Sequence, residues 1–233
     1  MRKRIGRRQA IGAIGAAGAA LAFGCGNSPT SPTATSTGTT TTTTTTGTND
    51  ACSITPTETV GPFPSLTDIF RSDIRDGKTG TLLTLTVKVV NVNNGCAAVS
   101  NANVEIWHVD AGGNYSEYGS NAAETFLRGI QTTNSDGIVT FTTIYPGWYQ
   151  GRATHIHLEV TMNGSSIKAT QIAFPEAINA TVHGSGVYAS HGQNPIANAS
   201  DGIFADSLAS ELVTPAGDPS GGYSVTFQVA VSV

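Results

Sequence analysis

Basic residues, cysteines and long apolar runs are scarce in this 233-residue chain. It has 12 Lys and Arg, and five of them, Arg2, Lys3, Arg4, Arg7 and Arg8, crowd the first turn of sequence. The seven that remain face 16 Asp and Glu, a balance near −9. No Lys/Arg-rich face follows, so nucleic acid is not an expected partner. No segment keeps a helical hydrophobic period for any length, which argues against a helical bundle. The one apolar run, residues 10–23, is too short to serve comfortably as a permanent membrane span. Of three cysteines, Cys25, Cys52 and Cys96, none belongs to a closely spaced metal-binding pair.

What is there begins with an export address. A basic start followed by an Ala/Gly/Ile/Leu run reads as a signal peptide over residues 1–25. The Arg7-Arg8 pair points to the twin-arginine route, with an ordinary secretory signal as the alternative. Leu21-Ala22-Phe23-Gly24-Cys25 approximates a lipobox, which would leave Cys25 lipidated and the protein anchored to a membrane rather than spanning it. The alternative is a plain secreted protein with a chance cysteine. Residues 26–50 are rich in Ser, Thr, Pro and Gly, with Thr39 to Thr46 unbroken. Such a stretch cannot bury enough apolar surface to offset its ordering entropy and reads as a disordered stalk. The folded domain is then 51–233, long enough for a substantial core. In an oxidising compartment Cys52 and Cys96 are expected to form a disulfide.

Within the domain, alternation of apolar and polar residues predicts strands over 81–91, 103–109, 138–144, 154–162, 167–174 and 222–233. Asn93-Asn94-Gly95, Asn134-Ser135-Asp136-Gly137 and Asn163-Gly164 mark turns, the last two as hairpins. About seven to nine short strands with such turns predict an all-β antiparallel sandwich. Residues 177–198 read as a long irregular loop with a helical turn at either side, of the kind often tied to function.

The densest chemistry lies in Pro146-Gly147-Trp148-Tyr149-Gln150-Gly151-Arg152-Ala153-Thr154-His155-Ile156-His157. On a strand His155 and His157 share a face, while Ile156 points into the core. Two imidazoles on one rigid face suit Zn, Cu, Fe or Ni, or are two solvated histidines. Glu159 shares their face but lies further along, so no carboxylate within the stretch completes an Fe(II) facial triad. A phenolate at Tyr149 would favour Fe(III), a harder ion than zinc sites select. Tyr115 follows a glycine-bearing turn after Ile106-Trp107-His108-Val109. His108 reads as structural, and His183 and His191 as loop residues near an entrance or in solvent.

Taken together, Thr55-Pro56-Thr57-Glu58-Thr59-Val60-Gly61-Pro62-Phe63, Val104-Glu105-Ile106-Trp107, Gly113-Asn114-Tyr115, Phe126-Leu127-Arg128-Gly129, the stretch 146–157, Thr170-Gln171 and Asp201-Gly202-Ile203-Phe204 resemble the intradiol ring-cleavage dioxygenases, in order and over most of the domain. The short Tyr149–His155 spacing looks most like exported single-domain members, and the helical dimerisation segment of catechol dioxygenases has no counterpart. The resemblance implies one mononuclear non-haem Fe(III) held by Tyr115, Tyr149, His155 and His157. It implies a catechol-type substrate cleaved by O2 between its hydroxyl-bearing carbons to a muconate-type diacid, with Tyr149 the ligand displaced by substrate. Arg152 would stabilise charge on the reacting ring, and Gln171 would stand beside it. Phe63 replaces a tyrosine of many relatives, so a substrate hydrogen bond there is in doubt. The rival reading is an exported β-sandwich binding module without iron.

Overall fold

The computed structural model describes residues 53–233. The expected signal peptide, lipobox at Cys25, stalk and Cys52 lie outside the described residues. Cys96 is disulfide-bonded.

Among the described residues nine strands form two sheets. In chain order they are β1 (Leu82–Asn91), β2 (Ala97–Ala98), β3 (Asn103–Trp107), β4 (Arg128–Thr132), β5 (Ile138–Ile144), β6 (His155–Met162), β7 (Ser165–Ala173), β8 (Ala216–Asp218) and β9 (Gly222–Val231). One sheet runs β2-β1-β9-β8 with β5 also paired to β1; the other runs β4-β3-β6-β7. The core lies between them. Leu83, Leu85, Val87 and Val89 of β1 pack in one cluster with Val104 and Ile106 of β3 and Ile156, Leu158 and Val160 of β6. Alternation on these strands thus faces one row of aliphatic side chains inward, as a two-layer sandwich requires.

The sandwich expectation holds, with three refinements. First, β1 and β9 pair in parallel, Leu83 opposite Tyr223 through Asn91 opposite Val231. A parallel pair needs a long connection, and most of the domain separates these strands. Second, Asn134-Ser135-Asp136-Gly137 is no hairpin within a sheet. It carries the chain from β4 in one sheet to β5 in the other, while the Asn134 Oδ1 accepts from the amides of Asp136 and Ile138 at 2.9 Å each. Third, the long loop holds an ordered helix, α1 (Glu176–His183), starting after Pro175. By contrast, Asn163-Gly164 does close a hairpin, with positive φ at both residues and Met162 opposite Ser165.

The outer face of the second sheet is covered too. On β6, His155, His157 and Glu159 are buried along with the core-facing residues. Cross-strand register aligns Arg128 opposite Trp107, Trp107 opposite His157, and His157 opposite Gln171. Residues directly opposite share a face, so one buried row crosses all four strands. The segment leading to β1 lies over it. Thr55 N bonds Ala230 O, Glu58 N bonds Ala169 O, and the Gln171 side chain donates to Thr59 O.

Candidate active site

Three segments meet above that row. β6 supplies the imidazoles, with Nε2 of His155 and Nε2 of His157 only 3.1 Å apart. His155 Nδ1 donates to Ala153 O at 2.6 Å, which leaves Nε2 as the lone-pair nitrogen, facing His157 Nε2. His157 stacks flat on Trp107, centroids 4.9 Å apart. Burial drives both imidazoles toward the neutral form, His155 to about 3 and His157 well below its ordinary value. Neutral imidazole is the metal-binding form.

The turn after β3 supplies Tyr115. Asp110 Oδ1 accepts from the amides of Gly112 and Asn114 at 3.0 Å each, which winds the chain back toward the sheet. Behind the ring, the guanidinium of Arg128 donates to Ser116 Oγ, Ser116 O and Phe63 O. Among the described residues, the buried Tyr115 hydroxyl has no hydrogen-bond partner of ordinary geometry. Burial, and then proximity to Tyr149, push it well above the usual phenol value. The turn before β6 supplies Tyr149, whose ring is 5.6 Å from that of Tyr115 and 5.5 Å from that of His155.

The four side chains therefore converge, and their chemistry fits a metal ion. An orphaned buried hydroxyl costs free energy unless something satisfies it. Two nitrogens at about 2.1 Å from one ion and at right angles would stand about 3 Å apart, as these do. Among the described residues no three His, Cys, Asp or Glu gather to hold a metal. The two phenols flank this histidine pair, the Tyr149 ring 5.5 Å from that of His155 and the Tyr115 ring 6.3 Å from that of His157.

Arg152 and Gln171 come together as well. Arg152 Nη2 donates to Gln171 Oε1 at 2.6 Å, and its Nε donates to Asp201 Oδ2 at 2.8 Å. Burial raises the Asp201 carboxyl, but the amides of Ala153 and Ile203 and the Arg152 cation outweigh it and hold it below the usual range. Next to the phenols opens a cavity of about 250 Å³, lined by Phe63, Tyr115, Tyr118, Tyr149 and the turn Gly119–Asn121. Phe63 stacks on Tyr115 with centroids 4.8 Å apart.

A sequence model of a dioxygenase family matches residues 63–183. An intradiol ring-cleavage dioxygenase from Tetranychus urticae is 30% identical, with a TM-score of 0.69 over 78% of this chain and 95% of that one. This chain belongs to the intradiol ring-cleavage dioxygenases. The enzyme is also similar to the dioxygenase domain of a carbohydrate-binding fusion from Streptomyces sp. SirexAA-E, at 26% identity, a TM-score of 0.59, and 78% and 99% coverage. The 3-chlorocatechol 1,2-dioxygenase of Rhodococcus opacus 1CP shares the fold at 20% identity and a TM-score of 0.54, over 76% of this chain and 72% of that one.

Other parts of the site carried no reading of their own in the sequence. Glu117 accepts from the amides of Leu66 and Thr67 at 2.7 and 3.1 Å and so ties the covering segment to the Tyr115 loop. Asp201 stands 49 positions from the arginine it holds; only its place in a run shared with the family marked it. His108, in contrast, is fully engaged in packing, Nε2 on Thr143 Oγ1 at 2.7 Å and Nδ1 on Val109 O at 2.9 Å.

Proposed function

We propose that this dioxygenase binds one mononuclear non-haem Fe(III) through Tyr115, Tyr149, His155 and His157. It uses the ion to cleave catechol-type rings between the two hydroxyl-bearing carbons with O2, both oxygen atoms entering a muconate-type diacid. The observation that carries the reading is the buried Tyr115 hydroxyl, with no partner of ordinary geometry among the described residues, beside two neutral imidazoles and a second phenol. Held by Tyr115, Tyr149, His155 and His157, ferric iron would supply Lewis-acid chemistry, drawing charge from a catechol ring.

The protein's own groups divide the remaining work. Phe63, Tyr118 and Tyr115 wall the cavity with rings and orient a flat substrate by stacking and edge contacts. An apolar cavity of about 150 Å³ holds benzene, so the larger space here accepts one substituted ring. Tyr149 lies at the cavity's inner edge, placed to take up a proton from the incoming catechol. Arg152, fixed at both ends, holds positive charge where the ring becomes electron-rich. Gln171 anchors that guanidinium and, through Thr59 O, the segment above it.

The purified protein is expected to be burgundy from tyrosinate-to-iron charge transfer and to consume O2 with catechol. Tyr115→Phe should weaken and shift the band, Tyr149 remaining as a second phenolate, and lose most of the activity, at least about a hundredfold. A colourless, iron-free protein from iron-replete cells would defeat the proposal. We further propose that the protein is exported, either held at the cell envelope by a lipid on Cys25 or secreted, on the strength of Arg7-Arg8 and the apolar run before that cysteine.

A further inference from the structure

Among the buried carboxylates, Asp201 is the one paired with Arg152. Asp201 arrives from the loop after α1 with its side chain fully enclosed. Its Oδ2 accepts from Arg152 Nε at 2.8 Å and from the Ala153 amide at 2.7 Å. Its Oδ1 accepts from the Ile203 amide at 2.8 Å, so its own loop fixes its orientation. Ala153 then presents its carbonyl to His155 Nδ1 at 2.6 Å. The peptide whose N–H meets Asp201 is also held on its other side, since Asn194 Nδ2 donates to Arg152 O at 3.0 Å. Phe204, three residues beyond Asp201, lies 5.7 Å from the Arg152 guanidinium and 6.4 Å, ring to ring, from His155.

We infer that Asp201 is a positioning residue with two separable jobs: it aims the Arg152 guanidinium at the reacting ring, and through the backbone of Ala153, whose N–H it holds and whose carbonyl meets Nδ1, it sets the orientation of the His155 imidazole. Neither job needs contact with substrate. The first is electrostatic, because an arginine free to rotate in a pocket would spread its charge over many positions. The second is a hydrogen-bond relay of the kind that fixes the tautomer and ring plane of metal-binding histidines. The residue types suit the division. A carboxylate is needed to pair a guanidinium, whereas any well-placed oxygen can accept from the Ala153 amide.

This rests on the iron-dependent reading above, and the test keeps the two apart. The full-length, iron-loaded protein is compared with Asp201→Asn, Asp201→Ala, Arg152→Met and the double variant Asp201→Asn/Arg152→Met. Steady-state kinetics with catechol, iron content, the visible band and thermal melting are recorded for each. Asp201→Asn should lose about ten- to a hundredfold in kcat while retaining iron and its band, since an amide oxygen still receives Ala153 N–H. Asp201→Ala should in addition lose iron readily. If the carboxylate acts through Arg152, adding Asp201→Asn to Arg152→Met should cost kcat less than about threefold more. Should Asp201→Asn fail to fold, the double variant, which lacks the unpaired buried cation, decides the point against Arg152→Met alone. A tenfold further loss there overturns the inference, as does wild-type kcat in Asp201→Asn or wild-type iron retention in Asp201→Ala. A colourless, inactive wild type would instead count against the iron reading. The inference would then be judged on nitrogen NMR of the metal-free protein, in which the His155 Nδ1 proton should be protected in wild type and lost in Asp201→Ala; equal protection in both overturns it.

Discussion

Gly61 shows how closely the site is covered. Its φ is +70°, and an added Cβ would stand 2.9 Å from His157 Cε1. Only glycine lets the covering segment turn there and lie against the imidazole. Gly61→Ala is expected to cost about 1–3 kcal/mol from backbone strain and to loosen iron retention. Thermal melting and iron content after dialysis check it, and a variant matching wild type in both would show that the segment yields. Substrate charge is a second residue-scale question. None of the residues lining the cavity is Lys, Arg or His. The guanidinium behind it, Arg128, is committed to Ser116, Phe63 and Ser65. A ring carboxylate would meet no cation among these lining residues. Catechol should therefore exceed protocatechuate in kcat/KM by at least about tenfold, two decarboxylation-related substrates being enough for the comparison. Equal values would mean that an uncommitted cation reaches the pocket.

At the scale of elements, β6 divides its work by pleat. Ile156, Leu158 and Val160 enter the common core, and His155, His157 and Glu159 occupy the opposite, covered face. Alternation made this strand legible, because period two is a local property of the chain. The strand β4 was not legible. Its sequence, Arg-Gly-Ile-Gln-Thr, carries no alternation of apolar residues, and it is a strand because β3 offers it an edge. The turn at residues 134–137 likewise has hairpin chemistry, yet joins two sheets, since turn residues fix a local bend and not the partners beyond it. Core and site can be separated by mutation at this scale. Leu85 lies fully buried in β1, between Phe141 and Val225. Leu85→Ala is expected to cost about 2–5 kcal/mol, read from denaturant midpoints, with the visible band unchanged because β1 carries no ligand. A lost band would tie the two sheets more tightly than packing alone implies.

For the whole molecule, acid stability follows from buried histidine. Burial is the main reason His108 is lowered to about 4 from 6.5, and its ring is held neutral between Thr143 and Val109. Unfolded, the same imidazole takes a proton near 6.5, so between these values the unfolded chain binds more protons. Its contribution is fully present above about pH 6.5 and is lost as pH falls toward 4, a change of about 3 kcal/mol. His108→Gln should flatten the stability profile over that window by about this amount; an unaltered slope would assign the acid lability to other groups. The sequence by itself determined strands β1, β3, β5, β6, β7 and β9, the β6 hairpin, the placing of His155 with His157 on one face, and, through ordered motifs, the family. Each of these is local, or is a sum of local signals along the chain. Only the tertiary structure decided that β9 runs parallel to β1, that Arg128, Trp107, His157 and Gln171 form one row, and that Asp201 grips Arg152 from 49 positions away. Those facts depend on which distant edges and loops pack together to bury apolar surface and satisfy polar groups, and that choice is made by the folded chain as a whole.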